Sequence, residues 1–164
     1  MSDNSVYANP SLVTDIGECD FYSTVDIPGY GVMKGVFDLR DGVQEYLGKL
    51  DFKGKRVLEM GTASGFLCFY MESKGAEVVG YDLSPEYLWD IVPLYNIDHE
   101  KRIARQKEVI RRLNNAFWLC HKAFNSRAKM VYGTVYAVPR QIEMVDVSTF
   151  GSILLHVRDP FLAL

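Results

Sequence analysis

The sequence lacks the marks of a secreted, membrane-bound or metal-bound chain. Its three cysteines, Cys19, Cys68 and Cys120, are odd in number, far apart and free of any CxxC pair. That excludes a disulfide framework and a zinc-ligand pattern. No histidine-rich setting surrounds them, so a thiol nucleophile is not expected; they read as reduced thiols of a cytoplasmic protein. No apolar run approaches the roughly 18–20 residues that span a bilayer. The opening MSDNSVYANPSLVTD has neither the basic nor the apolar stretch of a secretory leader. Basic residues are not in excess, with 18 Lys and Arg against 21 Asp and Glu; a globally basic nucleic-acid binder is excluded. Repeats and low-complexity tracts are absent. What is present is an ordinary globular composition, 48% hydrophobic and 24% charged over 164 residues. That is one domain's length, enough to bury a sizeable core.

The first 36 residues are rich in Gly, Pro, Ser and Asp and read as an irregular arm with short ordered pieces, leaving 37–164 as the domain proper. Leu39, Val43, Tyr46, Leu47 and Leu50 have helical spacing over 38–50. RVLEM (56–60) predicts a buried strand, and the glycine-rich GTASG leads into a helix ended by Gly75. EVVGYDL (77–83) predicts a second strand, which makes a parallel strand–turn–helix–strand unit. Further strands are expected at 128–133 and 144–156, the latter as one long strand or a strand plus a turn. A long helix is expected at about 99–125, with Ile103, Ile110, Leu113, Phe117, Cys120 and Phe124 on one apolar face. The stretch 99–129 carries nine Lys and Arg against two Glu, so it holds +7 and the rest of the chain −10.

The segment that carries chemistry is VLEMGTASGF (57–66) followed by Asp82. A glycine turn between strand and helix lets backbone approach a ligand and aims a helix N-terminus at it. An acid at the tip of the next strand can accept hydrogen bonds from a ribose diol. The dinucleotide fingerprint needs a third glycine where Phe66 stands, which argues against NAD. Glu59, just before the turn, would repel a pyrophosphate but suits a ligand bearing a sulfonium and an amino group.

These residues resemble the first motif and the paired acid of the class I S-adenosylmethionine-dependent methyltransferases, with Ala63 in place of the middle glycine. FYSTVDIPGYGVMKGVFDLR (21–40) and LLHVRDPFLAL extend the likeness to a bacterial subgroup whose motifs are similar to those of tRNA wobble-uridine carboxymethyltransferases. The resemblance implies an α/β, Rossmann-like parallel sheet of strand order 3-2-1-4-5-7-6. Only four strands are legible, so the C-terminal strands are expected to be missing. It implies in-line methyl transfer from S-adenosylmethionine, with S-adenosylhomocysteine as product. Gly61, Thr62, Ala63 and Gly65 would line the methionine part of this cofactor, and Glu59 would lie near its amino end. Asp82 would hold the ribose hydroxyls and Leu83 would lie beside the adenine. Thr134 stands where the family often has an acid against the adenine amino group. Arg40 is a candidate for the cofactor carboxylate.

His156 follows the last expected strand and is a candidate general base or acceptor-orienting group. His99 and His121 read as solvated, Asp146 as structural, Trp118 and Phe117 as core or pocket wall, and Arg158 and Asp159 as a pair. A small-molecule acceptor is expected. The basic helix leaves an RNA-directed transferase open. A bare edge on the last strand leaves open a homodimer, or a non-catalytic interaction module.

Overall fold

The structure, a computed structural model, describes residues 5–90, 95 and 98–164. Four strands form one parallel sheet: β3 (Arg56–Met60), β4 (Glu77–Asp82), β5 (Lys129–Tyr132) and β6 (Val147–Thr149), in the order β5-β4-β3-β6. This is the Rossmann-like α/β arrangement, matching the 3-2-1-4 portion of the expected order. The strand order reverses at β3, which has β4 on one side and β6 on the other. In open parallel sheets the ligand crevice lies outside the carboxyl ends of the strands at such a switch point.

The apolar run of β3 is buried on both faces, as a parallel strand requires. Val57 packs with Val78, Met71, Phe117 and Met130 under α2 (Phe66–Ser73) and α3 (His99–Ala123). Leu58 and Met60 pack on the other face with Val79, Tyr81, Val131 and Ile142. The arm contains a 3-10 turn (Ile16–Glu18) and a two-stranded ribbon of β1 (Val25–Ile27) and β2 (Gly31–Met33). It is no separate body: Cys19, Val25 and Ile27 belong to the α2–α3 core. Residues 1–4 of the expected arm lie outside the described residues.

Two expectations about length are corrected. The helix expected over 38–50 shrinks to α1 (Val43–Tyr46), because Gly42 opens it and Gly48, at φ 68°, ends it. The strand expected over 144–156 is only β6, three residues long. Ser152, at φ 59°, turns the chain, and a 3-10 turn (Leu154–His156) follows. The basic helix is deeply buried in its C-terminal half. Its residues from Ala116 to Cys120 are fully buried and form the centre of the core. The chain then reaches α4 (Pro160–Ala163), whose Asp159 cap accepts from the Leu162 amide at 2.9 Å.

Candidate active site

The glycine turn joins β3 to α2 at the carboxyl edge of the sheet. Gly61, at φ 75°, bends the chain away from β3, and its amide and that of Thr62 donate to the Tyr81 carbonyl of β4. Ala63 takes the left-handed conformation at φ 49°, a strained state for a residue with a Cβ. Asp82 stabilises it: one carboxylate oxygen accepts from the Ala63 amide at 2.6 Å and the other from the Leu83 amide at 2.7 Å. A carboxylate has about four acceptor positions, so Asp82 keeps capacity for two more donors. Gly65, at φ 87°, has no room for a side chain. A Cβ there would lie 2.4 Å from the Phe69 ring and 2.8 Å from the Phe117 ring.

Glu59 lies beneath this turn, 3% exposed. The Thr62 hydroxyl donates to it at 2.5 Å. Burial pushes its carboxyl up to about 8; the Thr62 hydrogen bond pulls it down, the nearby Asp82 charge raises it, and the Cys68 amide lowers it. Asp82 is also raised by burial, against the pull of its two amide donors. The site is therefore two carboxyl groups in a dry setting with no cation paired to them among the described residues, an arrangement that favours a positively charged ligand. Thr149, the register partner of Glu59 on β6, has a buried hydroxyl with no partner among the described residues.

The walls come from loops beyond the strand ends. The Tyr22 amide donates to Ser64 at 3.1 Å, which ties the arm to the turn. Asn114 of α3 donates to the Leu83 carbonyl at 3.1 Å, next to Asp82. Ile153, after β6, lies against Gly61, 3.0 Å from where a Cβ would stand. Tyr81 reaches the Thr134 carbonyl at 3.0 Å and holds the turn after β5. A cleft of about 480 Å³ opens between that turn and the chain after β4, lined by Ser84, Pro85, Glu86, Tyr87 and Tyr132. Asp90 clasps the three loops: it accepts from Tyr136 and from the Arg158 side chain, and from the Arg158 amide at 2.8 Å.

The turn thus brings Glu59, Gly61, Thr62, Ala63, Gly65, Asp82 and Leu83 together. Arg40 and His156 are not joined to them. The Arg40 guanidinium makes two bonds to Asp38, at 2.9 and 2.7 Å. His156 is exposed, with its amide on the Ile153 carbonyl at 2.9 Å and no hydrogen bond to its ring among the described residues. Arg158 pairs with Asp90, not with Asp159, which caps α4. His121 is half-buried and bonds the Ala128 carbonyl at 3.0 Å, so it is not a solvated group. Asp146 is structural: its carboxylate accepts from the Arg56 amide at 2.8 Å and sets the start of β6. The three cysteines are buried free thiols, with Cys19 pushed up to about 11 and Cys120 up to about 12 by burial. Part of the charge of the basic helix is matched, by its own Glu108 and by carboxylates of the arm. Arg111 pairs with Glu18 and Glu108 at 2.7 Å each, and Arg112 with Asp20 at 3.0 Å.

Among the described residues no three His, Cys, Asp or Glu could hold a metal, and no helix is long and apolar enough to cross a membrane. Asn114, Thr149 and Ile153 were not foreseen as site residues. Only the helical position of Asn114 and the nearness of the other two to LLHVRDP hinted at them.

A comparison with curated proteins finds no match. A family model described as a methyltransferase domain matches residues 36–124. That span exceeds half of the chain and contains the glycine turn, Glu59, Asp82 and the whole of α3. The chain belongs to this methyltransferase-domain family.

Proposed function

We propose that the protein transfers the methyl group of S-adenosylmethionine to a small-molecule acceptor, in the manner of the bacterial subgroup its motifs resemble. The observation that carries this reading is Asp82 at the carboxyl end of β4, locked to Ala63 and Leu83 by two short bonds yet retaining two acceptor positions. A ribose diol supplies two such donors. When bound, the cofactor supplies the activated methyl carbon and its own leaving group. The protein's part is to hold and to exclude. Gly61, Thr62, Ala63 and Gly65 give a backbone surface that the methionine portion can approach. The first amides of α2 have no side-chain cap and favour its carboxylate; Arg40 is a second partner for that carboxylate if it exchanges Asp38. Buried Glu59 favours the positive end. Leu83 and Thr134 flank the adenine side. His156, on the turn after Ile153, orients the acceptor and takes its proton. No covalent enzyme intermediate is needed, because displacement is in-line and positioning does most of the work.

A small molecule is preferred to RNA because Arg111 and Arg112 are engaged with arm carboxylates. Calorimetric titration with S-adenosylmethionine and S-adenosylhomocysteine tests the reading. Micromolar binding is expected, weakened about 10–100-fold in Asp82→Asn, since a hydrogen bond to a charged group contributes about 1.5–3 kcal/mol. No binding by a folded wild-type sample would overturn it in favour of a non-catalytic interaction module.

A further inference from the structure

Helix α3 has 25 residues and is therefore about 37 Å long at 1.5 Å per residue. Its neighbour β4 has six residues and spans roughly 20 Å. The chain leaves α3 at Ala123 and enters β5 at Lys129, so the helix C-terminus lies at the amino edge of the sheet. Asn114 meets Leu83, just past the carboxyl end of β4. The helix before Asn114 therefore runs past the strand ends.

The inner side of this overhang is defined by burial. Gln106 and Ile110 are buried while Arg105, Lys107 and Glu108 are exposed. Arg102, Gln106, Leu113 and Phe117 fall on one stripe at helical spacing, and Phe117 lies against Gly65 of the turn. Two atoms on the stripe lack partners. Gln106 is 3% exposed, yet its Oε1 accepts nothing among the described residues. Nη1 of Arg102, one turn earlier, is also buried and donates to nothing there. A buried polar atom without a partner is costly, and two of opposite character, side by side, are complementary to one ligand.

We propose that Arg102 and Gln106 anchor the methyl acceptor, which is a small molecule bearing a carboxylate or phosphate with a hydroxyl or amine next to it. This rests on the methyltransferase reading above and names its substrate class. The guanidinium binds the anionic group, and Gln106 Oε1 accepts from the neighbouring hydroxyl or amine. Gln106 precedes, by eleven residues on the same stripe, the ring that packs on the glycine turn, about 16 Å along the helix, so the anchored end of the acceptor lies that far from the turn and the molecule has to span the gap. The same stripe explains why the apolar face of α3 turns polar at its N-terminal end.

The test uses the full chain saturated with S-adenosylhomocysteine. It is titrated calorimetrically with glycolate, with glycerol 1-phosphate, and with acetate as the anion without a hydroxyl. Saturable binding of glycolate or glycerol 1-phosphate is expected, and whichever binds tells carboxylate from phosphate. Acetate should bind about tenfold more weakly than glycolate, the equivalent of one hydrogen bond. Arg102→Met should abolish binding. Gln106→Leu should raise the Tm of the free protein, because an unpartnered buried amide is removed, and should bring glycolate down to the acetate level. S-adenosylhomocysteine affinity should change less than twofold in both variants. The proposal is overturned if neither hydroxylated anion binds, if Arg102→Met binds them as wild type does, or if either variant loses cofactor affinity tenfold. That last result would assign the pair to the cofactor. Failure of wild type to bind S-adenosylhomocysteine while glycolate still binds would refute the cofactor reading and with it the assignment as acceptor, leaving Arg102 and Gln106 as an anion site only.

Discussion

Glu59 makes the folded protein hold a proton that the unfolded chain gives up. Its carboxyl is pushed up to about 8 from an ordinary 4.5, chiefly by burial. The folded state therefore binds more protons between those values, so stability is complete below about pH 4.5 and falls as pH rises toward 8. Each pKa unit is worth about 1.4 kcal/mol, which sets a ceiling of about 5 kcal/mol over the whole window. Between about pH 6 and 8 the loss should be about 2 kcal/mol, since the slope flattens near the folded value. Urea denaturation of wild type and Glu59→Gln across that range isolates the effect, because groups not coupled to Glu59 cancel in the difference and Asp82, whose charge acts on Glu59, is the coupled group that remains. Glu59→Gln should lack the decline. Parallel stability curves for the two proteins, within about 0.5 kcal/mol, would refute the reasoning. The same proton reports on ligand charge. A sulfonium ligand near Glu59 favours its ionised form, so cofactor binding near pH 7 should release close to one proton. Calorimetry in buffers of different ionisation enthalpy reads that release directly.

Three other outcomes follow from the same geometry. Gly65→Ala should cost about 3–5 kcal/mol by thermal denaturation, combining a left-handed backbone with contacts of 2.4 and 2.8 Å to two aromatic rings; a loss below about 1 kcal/mol would contradict the packing. Asp146→Ala should cost about 1 kcal/mol and speed amide exchange at Val147–Thr149 selectively, because the Arg56–Asp146 bond sets the register of β6. The outer edge of β6 has no strand partner among the described residues, and Leu155, Phe161, Leu162 and Leu164 are exposed nearby. Sedimentation should show a concentration-dependent dimer that Phe161→Lys weakens, and a monomer at all concentrations would dismiss pairing through this edge.

Much of the fold was legible because it depends on local patterns. Short apolar runs made β3, β4 and β5, and the turn between β3 and α2 announced itself by glycine spacing. Lengths were less legible wherever a helical or strand-like apolar spacing was not matched by burial. Tyr46 and Leu50 have the right spacing but stay 44% and 51% exposed, so α1 never extends past Gly48. The apolar content of 144–156 suggested a strand, but only Val147–Thr149 pair with β3, Ile153 packs on Gly61 of the glycine turn, and Met144 and Leu155 stay exposed. The basic helix shows the opposite case. Its charge is real, yet Glu18 and Asp20 of the arm neutralise part of it across about 90 residues of sequence, a pairing no local window contains.

The sequence by itself determined the nature of the site. Glu59, the glycine turn and Asp82 are linked by strand and turn geometry, and their spacing alone says which backbone and which acids gather at the carboxyl edge of β3 and β4. Tertiary structure decided their state. Burial, not residue type, holds a proton on Glu59 near neutrality, and two amides brought together by the turn orient Asp82. It also decided what lies opposite. The N-terminal part of α3 runs past the strand ends because Asn114 and Phe117 dock there. On the reading proposed above, that docking turns Arg102 and Gln106 from two polar residues of a charged helix into an anchor for the acceptor.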